Sequence, residues 1–155
     1  MLNKVWLLLP LLLLLISCDD DNNKNISSKI TYQSSCKSST ALYKGTPSNL
    51  TAVVYSYNGS NQLILTHINA GFNCCPGVIN SQSQLDGSKI IITENESQQG
   101  CHCSCLYDIT IQVDNVSPGY YSIKINEPYA EQGPQIEFDA NLNYAILDTL
   151  YFERN

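Results

Sequence analysis

Tyr107-Asp108-Ile109-Thr110-Ile111-Gln112-Val113 places an apolar residue at every odd position and a polar one at every even position. Successive side chains of a β-strand point to opposite faces, so this alternation marks a half-buried strand with its odd positions in a core. Beyond the turn at Val116-Ser117-Pro118-Gly119, Tyr121, Ile123 and Ile125 repeat the pattern, with Ser122, Lys124 and Asn126 facing out. The short connection suggests that the two strands are neighbours. Upstream, Leu50–Tyr57 and Gln62–Ile68 flank Asn58-Gly59, the strongest short hairpin signal. Strands are also expected at Lys29–Ser34, Lys89–Glu94, Cys101–Val113, Gly119–Asn126, Gln135–Asp139 and Asp148–Glu153. About eight strands, separated by Gly, Pro, Asn and Ser, predict an all-β fold: an antiparallel two-sheet β-sandwich. Val116–Tyr121 resembles the Pro-Gly-x-Tyr corner of immunoglobulin-like and prealbumin-like sandwiches, a likeness of fold that implies no activity.

The start of the chain reads differently. A positively charged Met1–Lys4 precedes the apolar run Val5–Ile16, which only Pro10 interrupts. The run is too short to span a bilayer and suits the core of a signal peptide. Leu15-Ile16-Ser17-Cys18 closes it and resembles a bacterial lipobox, with a branched residue at −3, a small one at −1, then cysteine. The resemblance implies lipidation of Cys18 and cleavage before it, and several acyl chains together give stable anchoring. Asp19-Asp20-Asp21-Asn22-Asn23-Lys24-Asn25 is too polar to pack and reads as a tether. An acidic run at this place resembles the surface-export signal of Bacteroidota lipoproteins, whereas in enterobacteria Asp19 would imply retention at the inner membrane. The Asn- and Ile-rich composition favours the first. The expected organisation is a lipoprotein signal peptide over 1–17, the lipidated cysteine and flexible tether over 18–28, and one β-sandwich domain over 29–155. The expected place is the cell envelope, lipid-anchored at the outer membrane, with exposure at the cell surface as one outcome.

Six cysteines remain: Cys36, Cys74, Cys75, Cys101, Cys103 and Cys105. An even number in a small exported domain reads as a disulfide framework, each bridge adding about 2–4 kcal/mol. Cys74 and Cys75 are adjacent and need different partners. If the Tyr107 strand runs back unbroken, Cys101, Cys103 and Cys105 share its inward face, about 6.6 Å apart at each step. That separation disfavours a bridge within the trio. A bipartite scheme follows, pairing the trio with Cys36, Cys74 and Cys75 and leaving the individual pairs open. The competing reading is a Zn or Cu site formed by His67, Cys101, Cys103 and Cys105. Against it, Cys-x-Cys-x-Cys lacks the usual zinc spacing, and His102 lies on the opposite strand face. Redox chemistry would call for a Cys-x-x-Cys at a helix start, which the sequence lacks.

The block His67-x-Asn69-x-x-Phe72-Asn73-Cys74-Cys75-Pro76 and the block Cys101-x-Cys103-x-Cys105-x-Tyr107-Asp108 occur together with the lipobox. As a set they resemble a family of uncharacterised Bacteroidota lipoproteins, over roughly Leu63 to Asn126. The resemblance implies a sandwich fold and an envelope location, and no activity.

Other chemistry is thinly represented. A net charge of −6 leaves nothing to hold a nucleic-acid backbone. Two histidines and no Gly-x-Ser-x-Gly elbow give no nucleophile–base arrangement, so no catalytic residue is assigned and no enzyme is expected. His67 shares a strand face with Leu63 and Leu65 and is expected to be a packed, hydrogen-bonded imidazole. Asp108, on the outward parity, is expected in solvent or on a turn amide. Glu94 and Glu96 read as ordinary acids at a strand end. Tyr55, Tyr57, Tyr120 and Tyr129 are the tyrosines that a sugar-stacking platform would use, although tyrosine is also simply a good strand residue. Asp148-Thr149-Leu150 resembles the Bacteroidota O-glycosylation signal, which would place a glycan on Thr149. The expected function is a non-catalytic binding or accessory module of the envelope, without a cofactor, for a protein or glycan partner. The alternative is a metal-binding envelope lipoprotein.

Overall fold

The computed structural model describes residues 25–37, 46–129 and 135–154; the signal sequence, Cys18 and most of the tether lie outside them. Nine strands are formed: β1 (Ser27–Gln33), β2 (Leu50–Tyr57), β3 (Gln62–Asn73), β4 (Ile79–Asp86), β5 (Lys89–Glu96), β6 (Ser104–Asp114), β7 (Tyr120–Asn126), β8 (Ile136–Asn141) and β9 (Ile146–Glu153). They make a five-stranded sheet in the order β1-β6-β3-β2-β9 and a four-stranded sheet in the order β4-β5-β7-β8. The protein is an all-β two-sheet sandwich. The expected hairpin is formed as read: Gly59 takes φ +82°, and the Asn58 side chain accepts from the amides of Ser60, Asn61 and Gln62, each at 3.0 Å. The core lies between the sheets. Leu63, Leu65, Ile109, Ile111 and Val113 of one sheet face Ile90, Ile92, Ile123, Ile125 and Ile136 of the other, all buried. Each such side chain stabilises the fold by roughly 1.5–3 kcal/mol.

The structure corrects four expectations. β4 was not anticipated, because Ile79-Asn80-Ser81-Gln82-Ser83-Gln84-Leu85 puts serines at two of its four inward positions. The sheets are not wholly antiparallel, since β5 and β7 pair in parallel. β6 and β7 are not neighbours: β6 pairs with β1 and β3, and β7 with β5 and β8. The short link between them crosses from sheet to sheet, with Asn115 at φ +67° and Val116 buried beneath it. Finally, β6 begins at Ser104, so Cys101 and Cys103 do not share the inward face that Cys105 occupies. Cys105 is buried, Cys103 exposed and Cys101 half-buried. The corner resemblance does have a structural counterpart, as the Tyr121 hydroxyl donates to the Ser117 carbonyl at 3.0 Å.

One irregularity positions the rest. The β3–β6 register shifts between His67 and Ala70, and Asn69 takes φ +63°. Before this bulge the odd positions face the core; after it the ring of Phe72 does, set edge-on against Tyr107 with ring centroids 5.9 Å apart. β3 therefore runs five residues beyond Ile68, the expected end, and delivers Asn73 and Cys74 to one end of the sandwich. Bulges that re-aim side chains are common beside functional sites.

Candidate functional site

Three places carry chemistry, and the first is buried. His67 on β3 points between the sheets. Its Nδ1 lies 2.8 Å from Glu94 Oε1 on β5, and its Nε2 lies 2.9 Å from Thr51 Oγ1 and 3.2 Å from Glu127 Oε1. Thr51 donates its hydroxyl proton to the Ile68 carbonyl at 2.7 Å, so it accepts from His67 Nε2–H. Arg154 then grips Glu127 with both terminal nitrogens, at 3.0 and 3.2 Å, and donates to the Asn69 carbonyl at the bulge. Gly71 leaves room for that guanidinium. His67 and Glu94 are fully enclosed, and Glu127 nearly so. Burial alone would lower the His67 pKa. The Glu94 charge, together with hydrogen bonds to Glu127 and Glu94, outweighs it and raises the pKa to about 9. Burial raises Glu94, whose Oε2 lacks a partner among the described residues. For Glu127, burial is outweighed by His67 and Arg154, and its pKa is lowered. Two cations facing two carboxylates make a near-neutral clasp between the sheets.

His67 is thus the packed imidazole that its strand parity predicted. Glu94 is not an ordinary strand-end acid: it continues the inward series of Ile90 and Ile92, just as Glu127 continues Ile123 and Ile125. That parity was the available signal for both. Asp108 accepts from the Asn69 amide at 3.0 Å and from Lys37, so it is neither solvated nor on a turn amide but holds the bulge inside β3.

The second place is the cysteine corner. Cys36 bridges Cys105 and Cys74 bridges Cys103, each with Cα atoms 5.6 Å apart. Both pairs obey the bipartite scheme. Cys75 and Cys101 remain thiols, Cys75 exposed. Asn73 organises the corner. Its Oδ1 accepts from the Cys75 amide at 2.8 Å and the Cys101 thiol at 3.0 Å, and its side-chain amide donates to the Cys101 carbonyl. Its backbone amide donates to Glu96 Oε2 at 2.8 Å, and Tyr129 donates to the other Glu96 oxygen at 2.6 Å. The Sγ atoms of Cys74, Cys101 and Cys103 lie within 4.8 Å of one another. The metal-ligand set read from sequence is therefore redrawn: Cys101 and Cys103 come together with Cys74, of which Cys74 and Cys103 are bridged to each other, while Cys105 is bridged to Cys36 away from this group and both His67 nitrogens are engaged in the core.

The third place is open. A cleft of about 470 Å³ lies on the four-stranded sheet where β7 meets β8, lined by Ser88, Tyr120, Tyr121, Ser122, Asp139 and Asn141. Tyr120 pairs with Asn141 and Ser122 with Asp139 across the strands. Tyr120 is 72% exposed, as Tyr32, Tyr144 and Tyr151 are exposed elsewhere on the surface, and it is the one of them that lines this cleft. Of the four tyrosines considered for sugar stacking, Tyr55 and Tyr57 belong to the core, Tyr129 is held by Glu96, and Tyr120 alone faces such a cleft. Thr149 is exposed on β9, at the edge of the larger sheet.

The chain matches no family model, no curated protein and no solved structure. Its function has to be argued from these sites alone.

Proposed function

We propose that the protein is a lipid-anchored binding module of the cell envelope, tethered through Cys18, whose Tyr120 cleft takes a neutral glycan. The observation that supports this is the exposed Tyr120 ring, set beside the hydroxyl, carboxylate and amide of Ser122, Asp139 and Asn141. A sugar offers an apolar C–H face to a ring and hydroxyls to such donors and acceptors at its rim. A binding site of this kind is apolar with a few placed polar groups. Catalysis is not proposed. The pairing of His67 with Glu94 is enclosed in the core, out of a substrate's reach. The test is calorimetric titration of the full-length protein with a panel of neutral envelope and host oligosaccharides. Binding that weakens at least tenfold in Tyr120→Ala, with unfolding unchanged, is expected. Binding insensitive to Tyr120, or no binding across the panel, overturns the reading.

A second reading is favoured by the three clustered sulfurs: a soft ion, Zn²⁺ or Cu⁺, held by Cys74, Cys101 and Cys103 once the Cys74–Cys103 bridge is reduced. On that reading the reduced protein takes up one ion and Cys101→Ser loses it. Failure there leaves the cleft reading untouched.

A further inference from the structure

A sheltered lysine, an asparagine amide and a carboxylate meet at the β3 bulge. Lys37 lies just past β1, where its backbone amide donates to the Leu106 carbonyl of β6 at 2.9 Å. Its side chain is only 7% exposed, and its Nζ donates to Asn69 Oδ1 at 3.0 Å and to Asp108 Oδ1. The Asp108 side chain is 16% exposed, and Asn69 is buried. The orientation of the Asn69 amide is fixed by its other end. Its Nδ2 donates to the Pro47 and Leu50 carbonyls, at 3.1 and 2.8 Å, so the atom facing Lys37 is the oxygen. An amide carbon lies about 1.23 Å from its oxygen, which puts the Lys37 nitrogen no more than about 4.2 Å from Asn69 Cγ. The backbone amide of Asn69 also donates to Asp108 Oδ1, at 3.0 Å, so the bulge holds the asparagine and the carboxylate on one lysine nitrogen. An ion pair needs only the carboxylate. Here an amine, a carbonyl carbon and a proton acceptor are held together in a place sheltered from water, an arrangement that favours attack by the amine over hydrolysis.

We propose that Lys37 and Asn69 condense into an intramolecular isopeptide bond, with Asp108 as the catalytic residue. Asp108 takes a proton from the Lys37 ammonium and leaves a neutral amine. The amine attacks Asn69 Cγ, and the carbonyl electrons move onto Oδ1. Asp108 hands its proton to Nδ2 and takes another from the attacking nitrogen. The Cγ–Nδ2 bond breaks as the carbonyl re-forms. Ammonia departs with the last proton as ammonium, so Asp108 returns to a carboxylate. One C–N bond forms and one breaks, nothing is oxidised or reduced, and no co-reactant is needed. The Pro47 and Leu50 carbonyls hold the leaving nitrogen in place throughout. The link joins the segment after β1 to β3 across a sequence separation of 32. Unlike the Cys36–Cys105 bridge beside it, this link is closed to thiol reductants.

The experiment takes the full-length protein, solubilised from membranes, reduces and alkylates it, and maps its tryptic peptides by mass. Reduction removes the disulfides as a reason for two peptides to travel together. A peptide carrying Lys37 is expected to be joined to the one carrying Asn69, lighter than their sum by one ammonia and uncut after Lys37. In Asp108→Asn, with its β6 amides still protected from hydrogen exchange, the joined species should fall at least tenfold. Lys37→Arg keeps a cation beside Asp108 and should lack the joined species altogether. Separate Lys37 and Asn69 peptides of full mass in the wild-type protein overturn the proposal. So does an Asn69 hydrolysed to aspartate, or a loss of ammonia that maps to backbone cyclisation at Asn58-Gly59. A joined species undiminished in Asp108→Asn overturns the role given to that carboxylate.

Discussion

His67 occupies a position where the alternation of β3 would otherwise place a third leucine after Leu63 and Leu65. Its two ring nitrogens meet a carboxylate and a hydroxyl whose own proton is committed elsewhere, so both nitrogens donate and the ring is an imidazolium. A pKa of about 9 in the fold, against an ordinary 6.5, fixes the sign of its linkage to stability. The group's contribution is complete below pH 6.5 and is lost as pH rises through about 9. Glu94, also raised, acts in the same direction. Glu127, lowered, acts in the opposite one: its contribution is present above the ordinary carboxylate range and lost as pH falls through its folded pKa. Unfolding midpoints in urea should therefore decline between pH 6.5 and 9, and His67→Gln should flatten that slope. An unchanged slope in His67→Gln would assign the titration to other groups. Glu127→Ala leaves both His67 and Arg154 without their shared carboxylate. A buried charge stripped of its partner costs about 3–5 kcal/mol, so this variant should fall near that range at pH 6, measured by the same urea series.

The bulge in β3 shows how one element serves two ends of the molecule. Asn69, held at φ +63°, places its side-chain amide on the carbonyls of Pro47 and Leu50, at 3.1 and 2.8 Å, and its own carbonyl on Arg154. The parity break it creates is what ended the strand too early when only alternation was read: Ile68-Asn69-Ala70-Gly71-Phe72 follows neither period. β4 escaped notice for a related reason, since Ser81 and Ser83 fill inward places where apolar residues would have signalled a strand. β6 and β7, with a clean alternation, and β2 and β5, rich in β-branched residues and flanked by turn signals, were legible to within a few residues at either end. Gly71 is the element's tightest point, because a Cβ there would lie 2.6 Å from Arg154 Nη2 and 3.3 Å from Glu127 Oε2. Gly71→Ala should push the guanidinium off its carboxylate and destabilise the protein by roughly 1–2 kcal/mol. The loss should shrink in an Arg154→Ala background, where the space is free. A loss that is additive in the double variant would place the strain in the backbone instead.

At the scale of the whole molecule, face assignment was legible and partnering was not. Alternation identifies which side chains enter a core, but not which sheet a strand joins, and the link from β6 to β7 is as short as a hairpin while crossing between layers. The same limit hid the clasp. Thr51, His67, Glu94, Glu127 and Arg154 come from five separate stretches of chain, and no spacing rule connects them. The cysteines fared better because adjacency alone requires different partners for Cys74 and Cys75, even though the strand face expected to carry Cys101, Cys103 and Cys105 begins only at Ser104. Their two closed bridges now make a comparative prediction. Cys36–Cys105 spans a sequence separation of 69 and Cys74–Cys103 one of 29. Chain-entropy scaling makes the longer loop worth about 4 kcal/mol and the shorter slightly less. Cys36→Ser with Cys105→Ala, which keeps a small apolar group at the buried end, should therefore lower the free energy of unfolding by about 4 kcal/mol. Cys74→Ser with Cys103→Ser should cost about 3–4 kcal/mol, both from urea series without reductant. The first pair ties the segment before Lys37 to β6 inside the larger sheet, and its loss should also expose β1, the strand at that sheet's edge. Hydrogen exchange of the β1 amides should then quicken in the Cys36/Cys105 variant and stay slow in the Cys74/Cys103 variant. Equal quickening in both would mean that β1 is held by its pairing with β6 alone, and that the longer bridge acts only through the unfolded chain.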